Sequence, residues 1–310
     1  MESVQAVWLE ERRLSWLEYL TKQTTLRYSS LGWFIRSWRG WLRLVKILVV
    51  YASTRPEAVA AAKKVENFLQ TKTSQYSVLS LSEFDEKHPT LGGEIVMVLG
   101  GDGTMLRVAR RISSPDVKLF GVNFGRAGFL STVEPAELEE ACKRITDEDY
   151  YVEKVMRLSI YADGEFLADA LNEAYVSSRK PGKIIEYRLL QREQLASDVA
   201  DGVILATPVG STAYAFSTGG PIVDERLESV VVAPMASMTN LRPMVLSIEL
   251  PVTVFVVKGE AQVMVDGHTT KLLQEGKVVV EKSPRSLSFI SFDERRLFSR
   301  RLRKRLYGRP

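Results

Sequence analysis

The chain has 310 residues, 45% of them hydrophobic, which is long enough for two domains with ordinary cores. Its formal charge of +4 sits at the ends, with about +3 on residues 1–44, about +6 on 293–310 and about −5 between, so it does not read as a nucleic-acid binder with positive charge spread over the fold. One cysteine, Cys142, excludes a disulfide framework and a cysteine metal cluster, and the lack of a run of about 18 apolar residues argues against a spanning helix; a cytoplasmic enzyme fits.

Residues 1–43 form a Trp-rich basic extension holding Trp8, Trp16, Trp33, Trp38 and Trp41. Phe34, Trp38, Trp41, Leu42 and Val45 recur at helical spacing, with Arg36, Arg39 and Arg43 on another face. Four readings are open: an added helix packed on its own fold, a start codon placed too early, a membrane-surface helix, or a partner-docking helix. The first two are favoured, so no membrane partner is expected.

The ordered fold is expected to begin with the continuous apolar strand Val45–Tyr51, of the buried parallel kind. A helix follows over Arg55–Leu69, with Pro56 in its first turn. Strands are predicted at 77–81, 95–99 and 118–122, and helices at 105–112 and 135–145. This alternation predicts a Rossmann-like open α/β domain over 44–150, which the tail at about 292–310 rejoins. From 151 to 291 the segments are short and β-branched, at 155–161, 170–178, 184–190, 202–206, 229–233, 244–248, 252–258, 261–265, 277–281 and 286–291. Turn signals lie among them, so this part is read as an all-β domain, a β-sandwich.

Two glycine-rich stretches carry the chemistry. Gly100-Gly101-Asp102-Gly103-Thr104 follows an apolar strand and opens a helix, so its amides can approach a phosphate. Asp102 itself repels phosphate, so it must meet a metal, a proton or a hydroxyl. The stretch is neither a dinucleotide fingerprint nor a P-loop. A hydroxyl acceptor beside a phosphate site describes a kinase without a P-loop; the plainer alternative is a strand–helix turn capped by Asp. The second stretch, Thr207–Pro221, is a polar loop with closely spaced hydroxyls around Tyr214.

Taken together, these motifs resemble the ATP/polyphosphate-NAD kinase family. Gly100–Leu106 is similar to its first signature, and Asn123-Phe124-Gly125-Arg126-Ala127-Gly128-Phe129-Leu130 to its Asn-x-Gly-x-x-Gly-Phe-Leu pattern. Leu171-Asn172-Glu173 resembles its Asn-Glu motif, and Asp201-Gly202 with Thr207–Pro221 its longest one. Arg242-Pro243 and Asp266-Gly267 match shorter landmarks. The resemblance spans about residues 44–292. It implies phosphoryl transfer from ATP or polyphosphate to the 2′-hydroxyl of the adenosine ribose of NAD, giving NADP.

By the same resemblance Asp102 is the proton acceptor, and Gly100, Gly101, Gly103 and Thr104 cradle the donor phosphates. NAD contacts are expected from Asp102, Gly103, Asn172, Glu173, Asp201, Thr212, Ala213, Tyr214, Ala215, Phe216 and Ser217 in the all-β, NAD-binding domain and the turn before it. Arg107 and Lys183 are further candidates, each balanced against a solvated surface role. A divalent cation, Mg²⁺, is expected on the donor phosphates with no fixed protein ligand. The family implies a homodimer or homotetramer. Two departures stand out: Val199 replaces a basic residue two before Asp-Gly, a loss Lys183 could make good, and His268 stands where many members have Gln. The alternatives kept open are a lipid or other alcohol kinase sharing the Gly-Gly-Asp-Gly-Thr turn, and a non-catalytic dinucleotide sensor.

Overall fold

The computed structural model describes residues 46–292, except 74, 126, 127, 129 and 132, together with Leu302. The Trp-rich extension and, Leu302 aside, the basic tail lie outside the described residues. In chain order the first elements are β1 (Ile47–Tyr51), α1 (Pro56–Gln70), β2 (Tyr76–Ser80), α2 (Leu81–Lys87), β3 (Ile95–Gly100), α3 (Asp102–Ala109), β4 (Lys118–Asn123), α4 (Leu138–Thr146) and β5 (Tyr151–Val155). Then come β6 (Leu158–Ala162), β7 (Glu165–Ala170), β8 (Glu173–Ser178), β9 (Ile185–Gln191), β10 (Glu193–Ala200), β11 (Gly202–Ala206) and the short α5 (Tyr214–Ser217). The chain closes with β12 (Ser229–Met235), β13 (Met244–Ser247), β14 (Val252–Lys258), β15 (Ala261–Val265), β16 (His268–Leu273), β17 (Gly276–Lys282) and β18 (Leu287–Ser291).

The first sheet runs β2-β1-β3-β4-β18-β5. Strands β1 to β4 are parallel, and successive residues of β1 serve opposite cores. Ile47 and Val49 pack with α1 and α4, while Leu48 and Val50 pack with α2 and α3. Buried on both faces, such strands read as unbroken apolar runs, which is why they were legible. The order reverses between β1 and β3, so a crevice opens beyond their carboxyl ends.

The remaining strands make two six-stranded sheets, β10-β9-β14-β17-β6-β7 and β13-β12-β11-β8-β15-β16. One core joins them: Val254 and Val278 of the first meet Val176, Val203 and Val263 of the second, all fully buried. That is a β-sandwich.

Several expected elements shift. The segment 155–161 is two strands parted at Met156-Arg157, and β5 belongs to the first sheet, not to the all-β part. The segment 286–291 likewise becomes β18, inserted between β4 and β5. All five of its residues are buried, the mark of an inner α/β strand, whereas sandwich strands such as β15 alternate. Helix α2, β7, β10 and β16 lie outside the expected segments. Helix α2 has a full capping box, Ser80 and Glu83 bonding each other's backbone amides. Strands β10 and β16 lie at sheet edges with mixed polar sequences.

The inner placement of β18 predicts a large core penalty. Phe289→Ala should cost about 3–5 kcal/mol in urea unfolding. Phe255→Ala, on an exposed position of β14, should cost under about 1 kcal/mol.

Candidate active site

The Gly-rich turn forms at the end of β3. Gly101 is the N-cap of α3 and Asp102 its first residue. The first internal helix bond shown here runs from the Met105 amide to the Gly101 carbonyl at 3.1 Å, so the Gly103 and Thr104 amides precede it at the positive end of the helix. Gly103 is exposed. The loop after β4 closes over the turn: the Phe124 amide donates to the Gly100 carbonyl at 2.9 Å, and the Leu130 amide to Asp102 Oδ1 at 3.0 Å. This approach is backbone on backbone, since a Cβ on Gly125 would lie 3.0 Å from the Gly101 Cα. Asn123, 1% exposed, accepts from the Gly125 amide at 2.9 Å, while among the described residues its Nδ2 has no partner.

Arg55, which sequence reasoning passed over, stands at the same crevice. It is the N-cap of α1, and its Nη1 donates to the Phe124 carbonyl at 2.7 Å. Its signal was present: a cation just after a strand of a parallel sheet, at the edge where ligands bind.

Asn172 and Glu173 sit at the start of β8, and one carboxylate holds them. Asp266 accepts from the amides of Leu171 at 2.8 Å, Asn172 at 2.8 Å and Glu173 at 3.1 Å. The long polar loop fastens to the same stretch. Thr207 donates from Oγ1 to the Leu171 carbonyl at 2.6 Å and from its amide to the Asn172 carbonyl at 2.8 Å. Gly210 presses so closely on the Asn172 carbonyl that no Cβ would fit. The Tyr214 amide donates to the Glu173 carboxylate, and the Tyr214 ring meets Tyr175 edge-on at 5.4 Å.

Glu173 is 7% exposed, and among the described residues its Oε2 has no hydrogen-bond partner. Burial, with Asp266 close by, pushes its carboxyl up to about 8. Burial also raises Asp266, against the pull of its three amides.

The two halves share one cluster. Leu171 and Val209 pack with Met105 and Val108 of α3, so the helix bearing Asp102 lies against the segment bearing Asn172 and Glu173. Tyr214, Phe216 and Ser217 are exposed on α5, Thr212 and Ala213 are half-buried beside it, and Ala215 points into the core. Other candidates stand apart. Arg107 pairs with Asp85 of α2 at 2.5 Å. Lys183 is exposed on the loop that crosses from β8 in one sheet of the sandwich to β9 in the other. Asp201 lies beside Ser178, whose amide donates to its carbonyl at 2.8 Å, at the opposite end of β8 from Glu173. Val199 is in β10, and His268 is exposed directly after the Asp266-Gly267 turn. Among the described residues no group of three His, Cys, Asp or Glu side chains is placed to hold a metal, and no helix is long and apolar enough to cross a membrane.

Family models match both halves: the ATP-NAD kinase N-terminal domain over residues 42–150 and the ATP-NAD kinase C-terminal domain over residues 171–292. The chain belongs to the ATP-NAD kinase family. The NAD kinase of Thermococcus sibiricus is 35% identical over 274 residues, covering 81% of this chain and 95% of that protein. The NAD kinase of Thermococcus kodakarensis is 37% identical over 271 residues, covering 80% and 95%. Among solved structures, an NAD kinase from Archaeoglobus fulgidus in complex with ATP superposes with a TM-score of 0.67 at 30% identity, covering 83% of this chain and 99% of that one. Yeast NADH kinase complexed with NADH superposes at 0.75 with 18% identity, covering 85% and 88%, a likeness of fold.

In this ATP-NAD kinase family member the raised carboxyl has a measurable sign. From the usual carboxylate range up to about pH 8, the folded chain keeps a proton on Glu173 that the unfolded chain has released. Folding stability should therefore fall as pH rises through that window. The fall should be smaller in Glu173→Gln, read as the shift of the urea midpoint between pH 5.5 and 8.5.

Proposed function

We propose that this chain transfers the terminal phosphoryl group of ATP to the 2′-hydroxyl of the adenosine ribose of NAD, releasing ADP and NADP. The observation that carries this reading is the shared cluster of Met105, Val108, Leu171 and Val209, which sets the Asp102 helix against the Asn172-Glu173 segment. Family membership supports it throughout.

In this reading the amides of Gly101, Gly103 and Thr104 face the donor phosphates, with Arg55 adding positive charge at the same edge. Asp102 orients the 2′-hydroxyl and takes its proton as the oxygen bonds to phosphorus and the bridging oxygen leaves with ADP. Asn172 and Glu173 hold the ribose hydroxyls: the protonated Glu173 carboxyl and the Asn172 amide can each both give and accept. Thr212, Ala213, Tyr214, Phe216 and Ser217 meet the rest of the nucleotide.

The residues fit a cation carried in by the donor, because the turn offers phosphate-binding amides and one carboxylate, Asp102, but no acidic cage. Mg²⁺ on the donor would neutralise the charge of the transferring phosphoryl group. Polyphosphate is a second candidate donor, since amides read phosphates and not bases. A cytoplasmic setting suits all of these substrates.

A homo-oligomer completes the proposal. Asp201 stands a strand's length, about 17–20 Å, from Glu173. It joins an NAD site readily if a second copy brings its own Asp201 to this chain's Asn172 and Glu173.

Two experiments test the reading. Asp102→Asn should lower NADP formation, followed with a coupled dehydrogenase under ATP or polyphosphate, by about 10²–10⁴-fold with NAD affinity within about twofold. A near-wild-type rate removes Asp102 as the base; NAD binding without turnover by the wild type favours a sensor. For the second copy, co-expressed Asp201→Ala and Glu173→Ala chains should regain part of the activity each lacks alone. No recovery in a verified mixed oligomer places the site within one chain.

A further inference from the structure

Arg157 belongs to none of the motifs, yet it is 2% exposed and makes long-range bonds to three carbonyls. It stands between β5 of the first sheet and β6 of the sandwich. Arg285 stands at the return crossing, between β17 and β18. The two crossings run side by side: Arg157 Nε donates to the Arg285 carbonyl at 2.6 Å, and the Ser283 amide to the Arg157 carbonyl at 2.9 Å. From there the guanidinium reaches the turn that follows α3 and, through Ala109, the last residue of the helix itself. Its Nη1 donates to the Ile112 carbonyl at 3.0 Å and, more weakly, the Ala109 carbonyl at 3.5 Å.

Asp169 of β7 balances the charge. It accepts from Arg285 Nε at 2.5 Å and Nη2 at 3.0 Å, from Ser159 Oγ at 2.7 Å and from Ser283 Oγ at 2.8 Å. Arg157 Nη2 lies 3.8 Å from it and has no hydrogen bond among the described residues.

Stability is a poor reason for such an arrangement. Burying a guanidinium with one nitrogen unsatisfied is expensive, and apolar replacements of buried ion pairs are often neutral or stabilising. What the guanidinium supplies is direction: a rigid planar fork bonds the crossing through one edge and the helix end through another.

Resting on the kinase reading above, we propose that Arg157 is a positioning residue for phosphoryl transfer, fixing the axis of α3 against the sandwich so that Asp102 faces Asn172 and Glu173. Helix α3 has eight residues and is about 12 Å long. A tilt of about 5° at its carboxyl end moves Asp102 by about 1 Å, and misplacement of that size can cost about 10²-fold in rate.

The test uses the full chain. Arg157→Met fills the space without the fork; it should lower Tm, because buried carbonyls lose their donor, and in the folded variant lower kcat at least tenfold while the NAD dissociation constant stays close to wild type. Arg157→Lys, which can reach the helix carbonyls but not the crossing at the same time, should give an intermediate kcat. Asp169→Asn should lower kcat in the same direction, and the double variant Arg157→Met/Asp169→Asn should be no worse than Arg157→Met alone. Wild-type kcat in folded Arg157→Met overturns the proposal. So does a kcat loss matched by an equal loss of NAD affinity. If Arg157→Met does not fold, wild-type kcat in folded Asp169→Asn overturns it. NADP formation by the wild-type chain in the same assay separates failure of the kinase reading from failure of this one.

Discussion

Three successive amides converge on one buried carboxylate, and the nucleotide half of the site depends on that convergence. Asp266 takes the amides of Leu171, Asn172 and Glu173, which would otherwise be buried donors without partners. It can do so because of a two-residue turn. Asp266 and Gly267 adopt φ of 47° and 75°, the left-handed pair that closes a tight hairpin between β15 and β16. The same carboxylate raises the neighbouring Glu173. One turn therefore sets both the shape of the acceptor segment and its charge.

Helix α3 carries that arrangement to the other half of the molecule. Its amino end offers amides and Asp102, its flank packs on Leu171 and Val209, and Arg157 bonds its last residue, Ala109, weakly and the Ile112 carbonyl in the turn beyond it more closely. The positive amino end suits phosphate, and the cation at the carboxyl end suits the opposite pole. A single short helix is thus the element common to the open sheet, the polar loop and the crossing into the sandwich.

The architecture was legible where local sterics or a repeating pattern decide it. Runs such as Ile95–Leu99 announce strands covered on both faces, and the Gly101 and Gly125 motifs announce backbone packed on backbone. The pairing of Asn172-Glu173 with the Thr207–Ser217 loop followed from the resemblance. Long-range geometry stayed hidden. Nothing local to Asp266 says that it gathers three amides almost a hundred residues away, and nothing near Arg157 marks it as buried. Spacing alone also could not show that Arg107 pairs with Asp85 or that Lys183 stands exposed on the loop between the two sandwich sheets. Ser80-x-x-Glu83 was a readable helix start that seven residues of α2 made easy to pass over.

The position of β18 has a bearing on how the molecule is made. The open sheet looks like an amino-terminal domain, yet its fifth strand in spatial order is the last strand among the described residues, and β5 is attached through it. A nascent chain that has emerged only through β5 lacks an interior member of its own sheet, with the apolar edge of β4 uncovered. The sandwich is, in topological terms, an insertion threaded between β5 and β18. The open sheet can therefore be completed only after the sandwich strands have been translated.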